Sequence, residues 1–183
     1  MRENVDTRTR IQEIALKLFI EQGYEATSLR EIAEALGVTK AALYYHFKSK
    51  DEIITSLAEN RLRAVERLVA WARGQPRSEE TRNELIRRYS DDLYRGRHHE
   101  IMRFFERNPT ALKGHPMMEK TREQTFELLA FLSAPDAPAT TRLRNAMALF
   151  ALHASWFVLG DATLTDDERR EAALEVALDL LRR

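Results

Sequence analysis

Three features of the 183-residue sequence predict an all-α fold. Apolar residues recur at three-to-four spacing almost throughout, valine is scarce, and no segment alternates with period two. The first helix starts near Asp6 or Thr9 and carries Ile11, Ile14, Ala15, Leu18 and Phe19 on one face. It stops at Gly23, a residue suited to a left-handed C-terminal position. The second starts at Ser28, whose spacing to Glu31 is that of a capping box, and ends at Gly37. The third runs from a Thr39 cap to about Phe47, after which Ser49 and Glu52 repeat the box spacing and open a long helix ending near Gly74. "GQPRSEE" at 74–80 is polar and breaker-rich, hence a loop. Helices follow over 79–95, 98–107 and 116–133, separated by Gly96, Asn108-Pro109 and Gly114-His115-Pro116. "SAPDAPAT" is a second loop, an apolar helix covers 139–159 up to Gly160, and the last helix opens with Thr165 and Glu168 at capping-box spacing. The expectation is about nine helices. Three short ones are joined by a long helix to a larger helical region, with a domain boundary at residue 50 (1–50 and 51–183).

Composition narrows the function classes. Lys plus Arg and Asp plus Glu are 29 each, so bulk charge favours neither nucleic acid nor membrane, and any such partner must be met by local charge placement. With no cysteine there is no disulfide, Cys-based metal site or thiol nucleophile. No window approaches the apolar run of about 18 residues that spans a bilayer, and the N-terminus has no cleavage-site pattern. The chain therefore reads as unprocessed, soluble and cytoplasmic, with no membrane partner.

Residues 27–47 read "TSLREIAEALGVTKAALYYHF": a helix, a turn at Gly37-Val38-Thr39, and a second helix. That is the helix-turn-helix arrangement, whose second helix enters the major groove. At 100° per residue Leu43 and Phe47 share the core face, so Ala41, Ala42, Tyr44 and Tyr45 point largely outward. Such a surface suits a groove, because alanine permits close approach to a base edge and tyrosine hydroxyls reach phosphates. Thr39 and Lys40 stand at the N-terminal end of this helix and Lys50 at that of the next, where phosphate also meets backbone N–H groups.

Residues 8–55 resemble the DNA-binding domain of the TetR family of bacterial transcriptional regulators. The likeness rests on an amphipathic first helix, Gly23-Tyr24, Thr27-Ser28, Ile32-Ala33, Gly37-Val38, Leu43-Tyr44-Tyr45-His46-Phe47 and Lys50-Asp51 at the usual separations. It implies a homodimer on palindromic double-stranded operator DNA, with a C-terminal effector-sensing and dimerisation domain. Carried over by position, Lys40, Ala41 and Ala42 approach base edges and Tyr44 serves base and phosphate. Thr27, Ser28, Thr39, Tyr45, His46 and Lys50 mainly meet phosphates, and Arg30 lies where some members use a base-reading arginine.

Beyond the loop at 74–80, "RNAMALFALHASWFVLG" is apolar around most of its circumference, so one face packs inside the subunit and another needs a cover. The resemblance implies that the two terminal helices of each subunit form a four-helix interface, expected to use Leu149, Phe157, Leu174, Leu178 and Leu181. It also implies an inducer pocket among Met102, Phe105, Met117, Met118, Phe126, Leu129, Phe150, His153 and Trp156, a lining that fits a small hydrophobic or aromatic effector. The family majority makes the regulator a repressor. His98-His99 are adjacent rather than at metal-binding i, i+4 spacing, and there is no nucleophile motif, phosphate loop or paired carboxylates, so neither an enzyme nor a cofactor is expected. The alternative is a DNA-independent interaction or ligand-binding protein that keeps the helix-turn-helix as scaffold.

Overall fold

Nine α-helices and no strand make up the described residues of a computed structural model of the chain, in agreement with the all-α expectation. The structure describes residues 2–95, 98–108, 111, 116–160 and 163–182, the side chains of 2–6, 95, 106, 116 and 118 excepted. The helices are α1 Arg2–Glu21, α2 Leu29–Leu36, α3 Lys40–His46, α4 Lys50–Arg73, α5 Glu79–Arg95, α6 His98–Arg107, α7 Pro116–Phe131, α8 Ala139–Val158 and α9 Asp166–Arg182. α1 starts earlier than its capping residues suggest, since no glycine or proline between residues 2 and 9 stops the helix growing backwards.

Local chemistry sets the helix ends. Ser28 sits in extended conformation (φ −106°, ψ 157°) and accepts from Glu31 N–H at 3.2 Å, while the Glu31 carboxylate accepts from Ser28 N–H at 2.7 Å. Gly37 ends α2 at φ 73°, a left-handed conformation that a side chain would strain. Thr165 and Glu168 repeat the box at the start of α9. In both boxes the hydrogen bonds to the N-cap residue hold the glutamate carboxyl below its ordinary value. A lowered carboxyl pKa stabilises the fold above the unfolded glutamate value of about 4.3 and ceases to do so as pH falls through the lowered value. The stability difference between wild type and Glu31→Gln is therefore expected to be present at pH 7 and to close in acid. Paired thermal melts across that range check it, and a gap that persists at the acid end rejects the ionic part of the cap.

Two compact units are present, Met1–Arg61 with Glu100–His115, and Leu62–His99 with Pro116–Arg183. In the first, α2 packs on α1 and α3 on α2 around Ile11, Ala15, Phe19, Ile32, Leu43 and Phe47, joined by Ile53 and Ile54 of α4 and Phe104 of α6. In the second, α8 lies along α9 and α5 packs on both, with Leu85, Ile86, Leu93, Leu149, Leu152 and Ala177 in the core. Asn145 ties α8 to the end of α7 by donating to Leu132 O at 2.7 Å and Ser133 Oγ at 3.1 Å. Arg169 donates to Leu159 O at 2.8 Å and so caps the end of α8.

Candidate nucleic-acid interface

At seven residues, α3 is too short to hold a helix alone, so its orientation comes from packing. The Thr39 hydroxyl accepts from Ala42 N–H at 3.1 Å and fixes the first turn. Leu43 and Phe47 are fully buried and fix the inner face. At the far end Arg8 of α1 donates to His46 O at 2.9 Å, and its guanidinium lies 4.1 Å from the Phe47 ring centroid. With the inner face anchored, Lys40, Ala41, Ala42 and Tyr45 are exposed, Tyr45 to 70%, and Tyr44 and His46 are half-buried. No acidic residue lies between Lys40 and Lys50, so an otherwise charge-balanced chain is locally positive here.

Beside this helix a depression of about 440 Å³ brings together Thr27, Ser28, Arg30, Lys40, Tyr44 and Lys50. Their chemistry differs from what residue type alone suggests. Thr27 is only 1% exposed, and its hydroxyl donates back to Gly23 O at 2.8 Å, so it stitches the turn rather than offering a phosphate donor. Both Ser28 groups are engaged with Glu31, whose carboxylate occupies the α2 N-terminus. Arg30 pairs with Glu34 at 2.7 Å, an exposed i, i+4 pair that solvent and salt screen and that is therefore easily exchanged for another anion. Lys50 donates to Tyr24 O at 2.5 Å and Glu25 O at 3.3 Å. Lys40 rests 5.4 Å from the Tyr44 ring centroid.

A model of the family described as bacterial regulatory proteins, tetR family, matches residues 11–57, which contain α2, α3 and the residues around the depression. The HTH-type transcriptional regulator TcmR of Streptomyces glaucescens is 30% identical over 198 residues, an alignment covering 100% of this chain and 86% of TcmR. The chain belongs to the TetR family. The HTH-type transcriptional regulator AcrR of Shigella flexneri is 47% identical over 57 residues, covering 31% of this chain and 26% of AcrR. The crystal structure of the TetR-family regulator PfmR of Thermus thermophilus superimposes with a TM-score of 0.65 at 27% identity, covering 94% of this chain and 97% of PfmR. The protein is thus a TetR-family transcriptional regulator carrying a DNA-binding helix-turn-helix.

The residues expected to line a pocket do not all lie inside this TetR-family fold. Met102 and Phe105 are half-buried in the first unit; Met117, Leu129, His153 and Trp156 are at least partly buried in the second. The Met118 side chain lies outside the described residues. Phe126 and Phe150 are 61% and 49% exposed, because the inward faces of α7 and α8 are occupied by Leu128, Leu149 and Leu152. Phe126 and Leu129 instead border a surface cavity of about 560 Å³ with Arg77 and Arg142 at its rim. His153 Nε2 and the Tyr89 hydroxyl are 2.8 Å apart. Trp156 stacks face to face on His99 at 4.2 Å, with the Tyr94 ring 5.3 Å away. Sequence spacing raised His99 only as a metal candidate, yet it is buried against an aromatic ring. Among the described residues no group of His, Asp and Glu is arranged to hold a metal, and no helix is long and apolar enough to cross a membrane.

The expected dimer residues also divide. Leu149 is 2% exposed and belongs to its own subunit's core, and Leu178 and Leu181 are nearly as buried, because α8 and α9 cover each other there. Leu174 is half-buried and Phe157 is 67% exposed. The apolar face that α8 leaves open is instead Leu143, Met147, Phe150, Ala154 and Phe157, one stripe at i, i+4, i+7, i+11 and i+14. Val176 is the large exposed apolar residue of α9.

Proposed function

We propose that the protein is a cytoplasmic repressor, without a catalytic step of its own, that binds a palindromic operator as a homodimer and is released by a small hydrophobic or aromatic effector. In this reading residues 1–50 read DNA, and residues 51–183 sense the effector and dimerise. The observation that carries it is the outward set on α3, Lys40, Ala41, Ala42 and Tyr45, held around buried Leu43 and Phe47. A helix with small residues at its exposed N-terminal end fits a major groove about 12 Å wide. Lys40 and Tyr44 there supply charge and a hydroxyl to base edges and phosphates.

A twofold axis places two such helices roughly 34–36 Å apart and so demands an inverted repeat. The exposed stripe on α8 supports the dimer, since a monomer would leave those large apolar side chains in water. The His99–Trp156 stack and the Tyr89–His153 pair supply aromatic faces and polar groups of the kind that orient an apolar effector. Such an effector acts by favouring a state with a different separation of the DNA-reading helices.

Selection of bound duplexes from a random library tests the reading. The expected result is a palindrome whose affinity falls in both Tyr44→Ala and Lys40→Ala, with altered base preference in the second. Neutralising about six phosphates should give a slope near −5 in log K against log salt. No enriched sequence from a folded, effector-free dimer would make the helix-turn-helix a scaffold.

A further inference from the structure

Lys50 is the best-held cation of the proposed phosphate surface, and its hold comes from outside the helix-turn-helix. An ammonium has three donors, and two are given to Tyr24 O at 2.5 Å and Glu25 O at 3.3 Å, which leaves one. The same ammonium lies 4.6 Å from the Tyr24 ring centroid, so the face of that ring attracts it as well. Tyr24 is held in turn. Its hydroxyl donates to Asp51, the residue after Lys50, and its ring meets Phe19 edge-on at 5.0 Å and Phe104 edge-on at 5.7 Å. Burial, reinforced by Asp51, raises the phenol pKa well above its ordinary value, so the hydroxyl stays a donor at every working pH. Phe104 is 1% exposed and comes from α6, yet it belongs to the same compact unit as α1–α3.

We propose that Tyr24 is a positioning residue that keeps the Lys50 ammonium poised for a DNA phosphate, and that Phe104 of α6 fixes Tyr24 in that role. This rests on the DNA-binding reading above. A lysine side chain has many rotamers, and ordering it beforehand removes part of that entropic cost from the bound complex. Lys50 opens onto the same depression as Lys40 and Tyr44, so its remaining donor and theirs serve one stretch of backbone. Glu31 is the acid whose ionisation Lys50 also favours, and a phosphate would take over that partner.

The test uses the full chain and the duplex selected by wild type, with affinity measured against salt concentration. Lys50→Ala should lose about tenfold in affinity and reduce the slope by about 0.9, one phosphate. Tyr24→Leu keeps the backbone carbonyls of residues 24 and 25 but has no ring face, so it should lose part of what Lys50→Ala loses, and adding it to Lys50→Ala should cost no further affinity. Tyr24→Phe keeps the ring and should keep the wild-type slope. In the DNA-free protein, the Lys50 methylene protons should be shifted upfield by the Tyr24 ring in wild type, less so in Phe104→Leu, and not in Tyr24→Leu. If Tyr24→Leu does not fold, Phe104→Leu supplies the same two readouts. A variant with lowered melting temperature but wild-type slope and wild-type Lys50 shifts overturns the positioning role and leaves a merely structural one. A salt-dependent wild type whose Lys50→Ala variant keeps the full slope rejects this assignment alone. A wild type that binds no duplex rejects the reading it rests on.

Discussion

Phe47→Ala is expected to remove about 3–5 kcal/mol of stability, to lower the melting temperature by roughly 10 °C, and to abolish operator binding. The Phe47 side chain is fully buried and stands at the C-terminal cap of α3, with extended backbone (φ −142°, ψ 128°). Removing its ring opens a cavity and takes away the surface beneath the Arg8 guanidinium, whose bond to His46 O pins the end of the helix. Seven residues cannot stay helical on propensity alone, so the exposed Lys40, Ala41 and Tyr45 lose their common frame even where the rest of the chain stays folded. Phe47→Leu refills most of the space and should show a smaller loss in both measurements. Thermal melts and operator titrations on the three proteins check this, and a Phe47→Ala variant that melts with wild type would mean α3 is held by something other than its inner face.

The double substitution Phe150→Glu with Phe157→Glu is expected to convert the proposed dimer into a folded monomer of 21.3 kDa. Both residues lie on the open face of α8, so the carboxylates cost the isolated subunit little. In a twofold interface each occurs twice, and a central apolar anchor is worth about 2 kcal/mol or more on truncation. Even one position then weakens association by about 4 kcal/mol, roughly a thousandfold, before charge repulsion is added. Sedimentation at micromolar concentration reads the mass directly, and operator affinity should fall with it because two half-sites no longer bind as one. A variant that remains dimeric places the interface elsewhere. Leu149→Glu is the contrasting control: it buries a charge in the subunit's own core and should unfold the protein instead.

These two experiments mark where the sequence was informative and where it was not. The caps at Ser28, Thr39 and Thr165 and the left-handed Gly37 are written within four residues of where they act, so helix limits were legible. So was the inner face of α3, because Leu43 and Phe47 are four apart and flanked by residues of a different kind. On α8 the same reasoning fails. A helix apolar around most of its circumference gives periodicity little phase, and Leu149, buried, and Phe150, exposed, are neighbours that only the packing of α9 tells apart. Nor could spacing show that Arg8 reaches the end of α3 or that Phe104 reaches Tyr24, since those partners are separated by tens of residues. Thr27 was read by its hydroxyl's capability, whereas its backbone neighbourhood had already used it.

Because residues 62–99 intervene between the two stretches that form the first unit, that unit cannot finish folding as it leaves the ribosome. At roughly 5–20 residues per second, the nascent helices wait roughly 2–8 s for α6, with Phe19 and Tyr24 lacking the ring that later covers them. The newly made first unit therefore completes its core only after residues 62–99 of the other unit have been translated, which ties completion of the proposed DNA reader to synthesis of the first part of the proposed sensing region.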